Sequence, residues 1–179
     1  GVLRTEGFPY AIDNGAWSAH CHGKPFDHDR FRLCVEMFGA GADFIVVPDI
    51  VAGGLESLDF SREWLDELAG IAPLIVPVQD GMEPDHVRWV VDAGHGLFVG
   101  GSTEWKLATL PAWGDFKRET GCYLHVGRVN TVKRIRMCQD AQADSIDGTS
   151  VARFPCNLDR LDRAIKNGER QTTLWNRLS

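Results

Sequence analysis

Short apolar runs alternate along this chain with longer stretches whose apolar positions recur every three or four residues. Tyr10-Ala11-Ile12, Phe44-Ile45-Val46-Val47, Leu74-Ile75-Val76-Pro77-Val78, Leu97-Phe98-Val99, Tyr123-Leu124-His125-Val126 and Ser145-Ile146 are the runs. Each stops at a turn residue and each predicts a strand. Between them the spacing predicts helices. One follows Asp27 with Phe31, Cys34, Val35 and Phe38 on a face, and the next follows Gly53-Gly54 with Leu58, Trp64, Leu65 and Leu68. A third starts at Pro84, buries Val87, Val90 and Val91, and stops at Gly94. Thr131 is the expected cap of a helix with Val132, Ile135 and Cys138 inward. Asn157 is the expected cap of a last helix that carries Leu158, Leu161 and Ile165 and ends at Gly168.

Strands apolar on both faces, alternating with helices, are the pattern of a parallel sheet covered by helices. The strand ends recur roughly every 20–36 residues, the period of a βα unit. Six units are visible, fewer than a closed eight-fold barrel needs. The expected fold is therefore α/β: a TIM-like (β/α) barrel, small or incomplete, in a single domain over residues 1–179, with Val2–Arg4 and the C-terminal tail filling gaps. A doubly wound sheet is the competing architecture, although no G-x-G-x-x-G opens the first unit as a dinucleotide-binding version would require.

Composition changes this picture little, but charge distribution does. The net charge is −6. Residues 1–127 hold 9 Lys/Arg against 19 Asp/Glu, and residues 128–179 hold 10 against 6. The basic part contains Arg128, Lys133, Arg134, Arg136 and Arg153, which form either a cationic lip beside the last strand or a solvated helix face. Five cysteines without paired spacing point to free thiols in a reducing compartment. His20-Cys21-His22 does not suffice for a metal, since adjacent residues rarely converge on one ion and no second Cys/His cluster completes a tetrahedron. No metal and no cofactor are expected. No apolar run reaches spanning length, so no membrane partner is expected. The opening GVLRTEGFPY has neither the layout of a signal peptide nor a starting Met.

The chemistry-bearing residues fall at one end of the predicted strands: Asp13, Asp49, Gln79, Gly100-Gly101, His125 with Gly127-Arg128, and Asp147. In a parallel sheet these share a face, which is where α/β barrels carry their active sites. The stretch Ala143–Arg153, ADSIDGTSVAR, delivers Asp147 into a Gly-Thr-Ser turn between a second carboxylate, Asp144, and the cation Arg153. Each residue also has a local explanation: Asp13, Asp49 and Asp147 as turn or helix caps, Gln79 bonded to a neighbouring loop, Gly100-Gly101 as a tight turn or a phosphate cradle. Taken together they describe a pocket for a flat polar heterocycle. Asp49 and Gln79 would read its edge, backbone amides would approach past the glycines, and an aromatic or aliphatic wall would stack on it.

The order AIDNGAW, VPDIV, PVQDG, LFVGG, LHVGR, DSIDGTSVAR resembles the tRNA-guanine transglycosylase superfamily, from about Tyr10 to Arg153. GGSTEWKL, HVGRVNTVKRIR and DSIDGT are similar to its short phage-type members associated with 7-deazaguanine modification of DNA. The resemblance implies that Asp147 is the nucleophile that attacks the anomeric carbon and that Asp13 is the acid/base for the ring proton. It also implies that Asp49, Gln79, Gly100, Gly101, His125 and Gly127 line the purine site. Trp17, in Asn14-Gly15-Ala16-Trp17 where the family more often has Ser-Gly-Gly-Phe, would supply the stacking wall. Arg128, Lys133, Arg134, Arg136 and Arg153 would meet phosphates. The clustered cysteines and histidine of the family's zinc subdomain are missing, which favours DNA over tRNA.

The activity expected from that resemblance is base exchange, guanine out and a free 7-deazapurine in, in the cytoplasm of a bacterial cell or phage-infected host, with a homodimer as an allowed assembly. A DNA glycosylase using water as acceptor and a non-catalytic nucleic-acid-binding barrel are the competing readings. A sugar-phosphate barrel enzyme using the Gly-Gly turn is a more distant one.

Overall fold

The computed structural model describes residues 7–175. Its six strands are β1 (Ala11–Ile12), β2 (Phe44–Val46), β3 (Leu74–Val78), β4 (Gly96–Val99), β5 (Leu124–Val126) and β6 (Ser145–Ile146). They form one sheet in the order β1-β2-β3-β4-β5-β6, with every neighbouring pair parallel. Spatial order follows sequence order, which is the winding of a barrel. A doubly wound sheet would reverse direction from its first strand. The sheet also curls. The Phe44 ring on β2 lies 5.5 Å from His125 and 5.8 Å from Tyr123, the residue before β5. In a flat sheet strands three apart would be separated by about 14 Å. Among the described residues no pairing joins β6 to β1, so the sheet is an open half-barrel. The expectation that Val2–Arg4 fills a gap lies outside the described residues, as does that part of the tail beyond residue 175.

Helices cover the outer face: α1 (Ala16–Cys21), α2 (His28–Phe38), α3 (Leu55–Leu68), α4 (Arg88–Asp92), α5 (Thr103–Thr120), α6 (Val132–Asp140), α7 (Ser150–Arg153) and α8 (Leu158–Trp175). The predicted caps are in place on α2 and α6, where Asp27 accepts from the Arg30 amide at 3.0 Å and Thr131 from the Arg134 amide at 3.3 Å. Alternate strand residues divide the labour of packing. Ile45, Val47, Leu74, Val76, Val78, Leu97, Val99, Leu124 and Val126 join the core under the helices. Phe44, Phe98 and His125, whose rings meet one another, turn to the concave side. No helix among the described residues is long and apolar enough to cross a membrane.

Three features depart from the periodicity. Helices α1 and α5 were not expected. In α5 a proline, Pro111, sits inside the helix and a lysine, Lys106, occupies the buried stripe with Leu110 and Trp113, so the apolar signal is interrupted. At the last helix, Asn157 lies in a 3₁₀ turn (Pro155–Asn157) and donates to the Ser150 hydroxyl at 2.9 Å rather than capping α8. That helix also runs through Gly168. A glycine inside a helix costs only about 1 kcal/mol relative to alanine, and packing of Leu161 and Ala164 against the core offsets it.

Helix α5 passes α6 closely at Gly114, where an added Cβ would lie 2.7 Å from the Ala141 Cα. Gly114→Ala gains about 1 kcal/mol of helix propensity but drives a methyl into backbone, an overpacking cost of about 1–3 kcal/mol. The clash is the larger effect, and thermal or urea melts of this variant are expected to show net destabilisation.

Candidate active site

The parallel sheet places Asp13, Asp49, Gln79, Gly100, Gly101, Gly127, Arg128 and Asp147 on its C-terminal rim, each within a few residues of a strand end. The curl brings the first and last of them together. Asp13, after β1, feels the charges of both Asp147, after β6, and His125.

Asp147 is held from several directions. Its Oδ1 accepts from the Arg128 backbone N–H at 2.9 Å, and its Oδ2 faces His125 Nε2 at 3.1 Å. The imidazole is fixed in turn. Tyr123 donates its hydroxyl to Ser145 Oγ at 2.8 Å, and Ser145 Oγ lies 2.6 Å from His125 Nδ1. The Ser145 proton therefore goes to Nδ1, leaving Nε2–H to donate to the carboxylate. The Phe98 ring stacks on the imidazole at 5.0 Å and 19°. Partial burial pushes the Asp147 carboxyl up, but the His125 and Arg128 hydrogen bonds, with the Lys106 charge behind them, outweigh it and hold the acid below its ordinary range. About half of the side chain (49%) remains exposed.

Asp13 and Asp49 shift the opposite way. Asp13 is exposed on one side and lines a concavity on the other, and desolvation, with the negative charge of Asp147, raises its carboxyl despite amides from Gly15 and Asn14. Asp49 is pushed up to about 6, first by desolvation and then by Asp13, against a hydrogen bond from Asn14. Buried Asn14 ties the two loops together. Its amide donates to Asp49 Oδ1 and to the Val47 carbonyl, each at 2.8 Å, while its own oxygen accepts from the Ala16 N–H that opens α1.

Gln79 is 2% exposed. Its amide nitrogen is engaged by the Ile50 carbonyl at 2.8 Å and the Ser57 hydroxyl at 2.6 Å, with Asp49 Oδ2 further off at 3.4 Å. The nitrogen thus supports the Asp49 loop. Gly100 continues the ladder through its N–H to the Val78 carbonyl. Gly101 adopts a left-handed conformation (φ +67°), and a Cβ there would meet Asp80 Oδ2 at 2.6 Å. Asp80 accepts from both the amide and hydroxyl of Ser102. At Gly127 the space of a side chain is taken by Phe98.

Arg128 links the turn after β4 to α1. Its guanidinium donates to the Gly101 carbonyl and sits 4.4 Å over the Trp17 ring. Trp17, expected as a stacking wall, thus has that face covered by Arg128. Arg134, at the first turn of α6, donates to the Arg128 carbonyl at 3.3 Å. Lys133, Arg136 and Arg153 are exposed, in segments that follow the rim ends of β5 and β6. No group of three His, Cys, Asp or Glu among the described residues converges as metal ligands would. The larger concavity, about 930 Å³, opens between α1 and α2; it takes in Asp13 and Asn14 but not Asp147. A smaller one of about 440 Å³ lies at the opposite rim, around His95 and Tyr123. Among the described residues the half-barrel is open between β1 and β6, the strands that Asp13 and Asp147 follow.

Sequence reasoning missed Lys106, Ser145, Tyr123, Asp80 and the bridging role of Asn14. Only Lys106 left a signal, as a cation at helical spacing from Leu110 and Trp113. The others act through contacts between separate loops. Comparison of the chain with protein-family models gives no match, and neither does comparison with curated proteins.

The raised Asp49 has a stability consequence. The folded state keeps the proton between about pH 4 and 6 where the unfolded state releases it, so stability falls as pH rises through that window. Asp49→Asn, which cannot ionise, is expected to raise the melting temperature at pH 7.5 and to flatten the pH 4–6 slope, a gain of up to about 3 kcal/mol. Melts across that range measure it.

Proposed function

We propose that the chain is a base-exchange enzyme acting on nucleic acid, with DNA as the expected polymer and a 7-deazapurine as the incoming base. The observation that carries this reading is the pair of carboxyl groups on one rim with unlike partners: Asp147 accepts from the Arg128 N–H and faces His125, which hold it down, whereas Asp13 is desolvated beside the Asp147 charge and pushed up. One environment suits a nucleophile and the other a proton donor.

In the proposed reaction an Asp147 oxygen attacks the sugar C1′ as the bond from C1′ to the base nitrogen breaks. The departing base keeps the electron pair and takes the Asp13 proton. The incoming base then gives a ring proton to Asp13, and its nitrogen displaces the Asp147 carboxylate from C1′. The carboxylate also stabilises the oxocarbenium character that develops between the two bonds. Asp49 and the rim backbone would hold the base edge. Lys133, Arg136 and Arg153 would neutralise phosphates of a strand whose target base is unstacked. Hydrolysis is the second reading, favoured by the half-exposed Asp147 carboxylate, which water can reach.

The deciding experiment incubates the protein with guanine-containing DNA and free 7-deazapurine bases, followed by denaturing gels and nucleoside mass spectrometry. A denaturation-resistant protein–DNA adduct and deazapurine nucleosides are expected with the native chain and neither with Asp147→Ala. Undiminished exchange in that variant overturns the assignment. Alkali-labile strands without base uptake identify the hydrolytic reaction, and DNA binding without either product identifies a binding module.

Asp13→Asn is expected to slow adduct formation by about 10²–10⁴-fold while leaving DNA affinity intact. In the native protein the adduct rate falls on the acid side as Asp147 gains a proton. It falls on the basic side as Asp13 loses one, and in Asp13→Asn the Asp13-dependent part of that fall is absent. A pH–rate profile of single-turnover adduct formation measures both.

A further inference from the structure

Lys106 is the strangest residue in the core. It lies on α5, a helix that otherwise buries Leu110, Trp113 and Phe116, and only 4% of it is exposed. Its ammonium donates to the Gly127 carbonyl. That carbonyl belongs to the same peptide unit as the Arg128 N–H, which donates to Asp147 Oδ1 at 2.9 Å. In a trans peptide the C=O and N–H point in opposite directions. Fixing the oxygen on one side therefore fixes the hydrogen on the other. Arg128 is one of the non-glycine residues at positive φ (58°). Such a conformation is strained and persists only where its surroundings hold it. The holding contacts here are Lys106 behind the peptide, Asp147 in front of it, and the Gly101 and Trp17 contacts of the side chain.

We propose that Lys106 is a positioning residue for Asp147, acting through the Gly127–Arg128 peptide: its ammonium clamps the carbonyl, polarises the amide and so aims a strengthened N–H at the carboxylate. This rests on the reading of Asp147 as the nucleophile. A neutral donor would satisfy one carbonyl at far lower cost, since a buried ammonium gives up most of its hydration. The positive charge is what the arrangement retains. Hydrogen-bonded groups in series polarise one another, so a cation at the far end of a peptide makes its N–H a better partner for an anion.

The charged groups around Lys106 come from three segments: Arg128 in the β5–α6 turn, Arg134 and Cys138 on α6, and Asp147 after β6. Burial, then the two arginines, bring Lys106 down to about 8, with Asp147 acting in the other direction. Burial pushes the Cys138 thiol up to about 11, so it is neutral wherever Lys106 titrates. The ammonium is the main form at pH 7 and is lost above about pH 8.

The test follows the Asp147 side-chain ¹³C carboxyl and the Arg128 backbone ¹⁵N signals by NMR across pH, in the native chain, Lys106→Met and Lys106→Arg. The rate of adduct formation with DNA is measured beside them. In the native chain both signals are expected to show an inflection near pH 8. In Lys106→Met that inflection disappears and the Asp147 carboxyl titrates at higher pH. Adduct formation slows on the order of tenfold, the scale of losing the outer partner of a direct contact, with DNA affinity unchanged. Lys106→Arg keeps the lowered Asp147 titration. Lys117→Met serves as a control, because Lys117 is also largely buried but pairs with Asp144 and the Cys122 carbonyl. It is expected to lower the melting temperature and leave the Asp147 titration unmoved.

Unchanged Asp147 and Arg128 signals in a cooperatively folded Lys106→Met overturn the proposal. If that variant does not fold, the native chain decides alone: an Arg128 amide that does not follow the Lys106 titration, read from the Lys106 ¹⁵Nζ signal, overturns it. If the native chain forms no adduct, base exchange fails as a function while the NMR signals still judge the Lys106 clamp.

Discussion

Three carboxyl groups on one rim cannot all ionise cheaply, and the fold decides which one does. Asp13, Asp49 and Asp147 follow β1, β2 and β6, and the curl of the sheet lets Asp13 feel both of the others. The differences in their partners are what separate them. Asp147 receives a backbone N–H, an imidazole and the field of a buried ammonium. Asp49 has the Asn14 amide and little else against its desolvation. Asp13 has turn amides and a negative neighbour. Asp147 is therefore the carboxyl that ionises first as pH rises, and Asp13 and Asp49 hold their protons to higher pH. Any chemistry on this rim that needs one anion and one acid starts from that division.

Two lines of polar groups support an ionised Asp147, and they include the buried His125 and Lys106. Tyr123, Ser145 and His125 form one line to its Oδ2, and Lys106, Gly127 and Arg128 form another to its Oδ1. The two lines approach from different strands and a helix, so the carboxylate is braced in two directions. Arg128 serves both the groove and its entrance, since its backbone reaches Asp147 while its guanidinium spans from Gly101 to Trp17. The open side between β1 and β6 leaves Asp147 half-exposed, and in the proposed reaction water access is what separates base exchange from hydrolysis.

Much of the architecture was legible in the sequence. Runs such as Leu74–Val78 cannot face water on either side, so they specify a covered parallel sheet, and six of them specify an incomplete barrel. Parallel strands then put Asp13, Asp49, Gln79, Gly101 and Asp147 on one rim without further information, because direction alone fixes which end each turn occupies. Helices whose stripe is continuous, α2 and α3 among them, were equally plain. Helix α5 was not, because Lys106 and Pro111 break its stripe.

What only the tertiary structure decided is the state of each group on that rim. That Gln79 spends its amide nitrogen on the Ile50 carbonyl and Ser57, that Trp17 faces Arg128, and that a lysine on α5 lies behind the Gly127 peptide depend on contacts between segments far apart in the chain. Local periodicity encodes which way a side chain leaves its own backbone. It does not encode what meets that side chain when the sheet curls, and ionisation is set by what it meets.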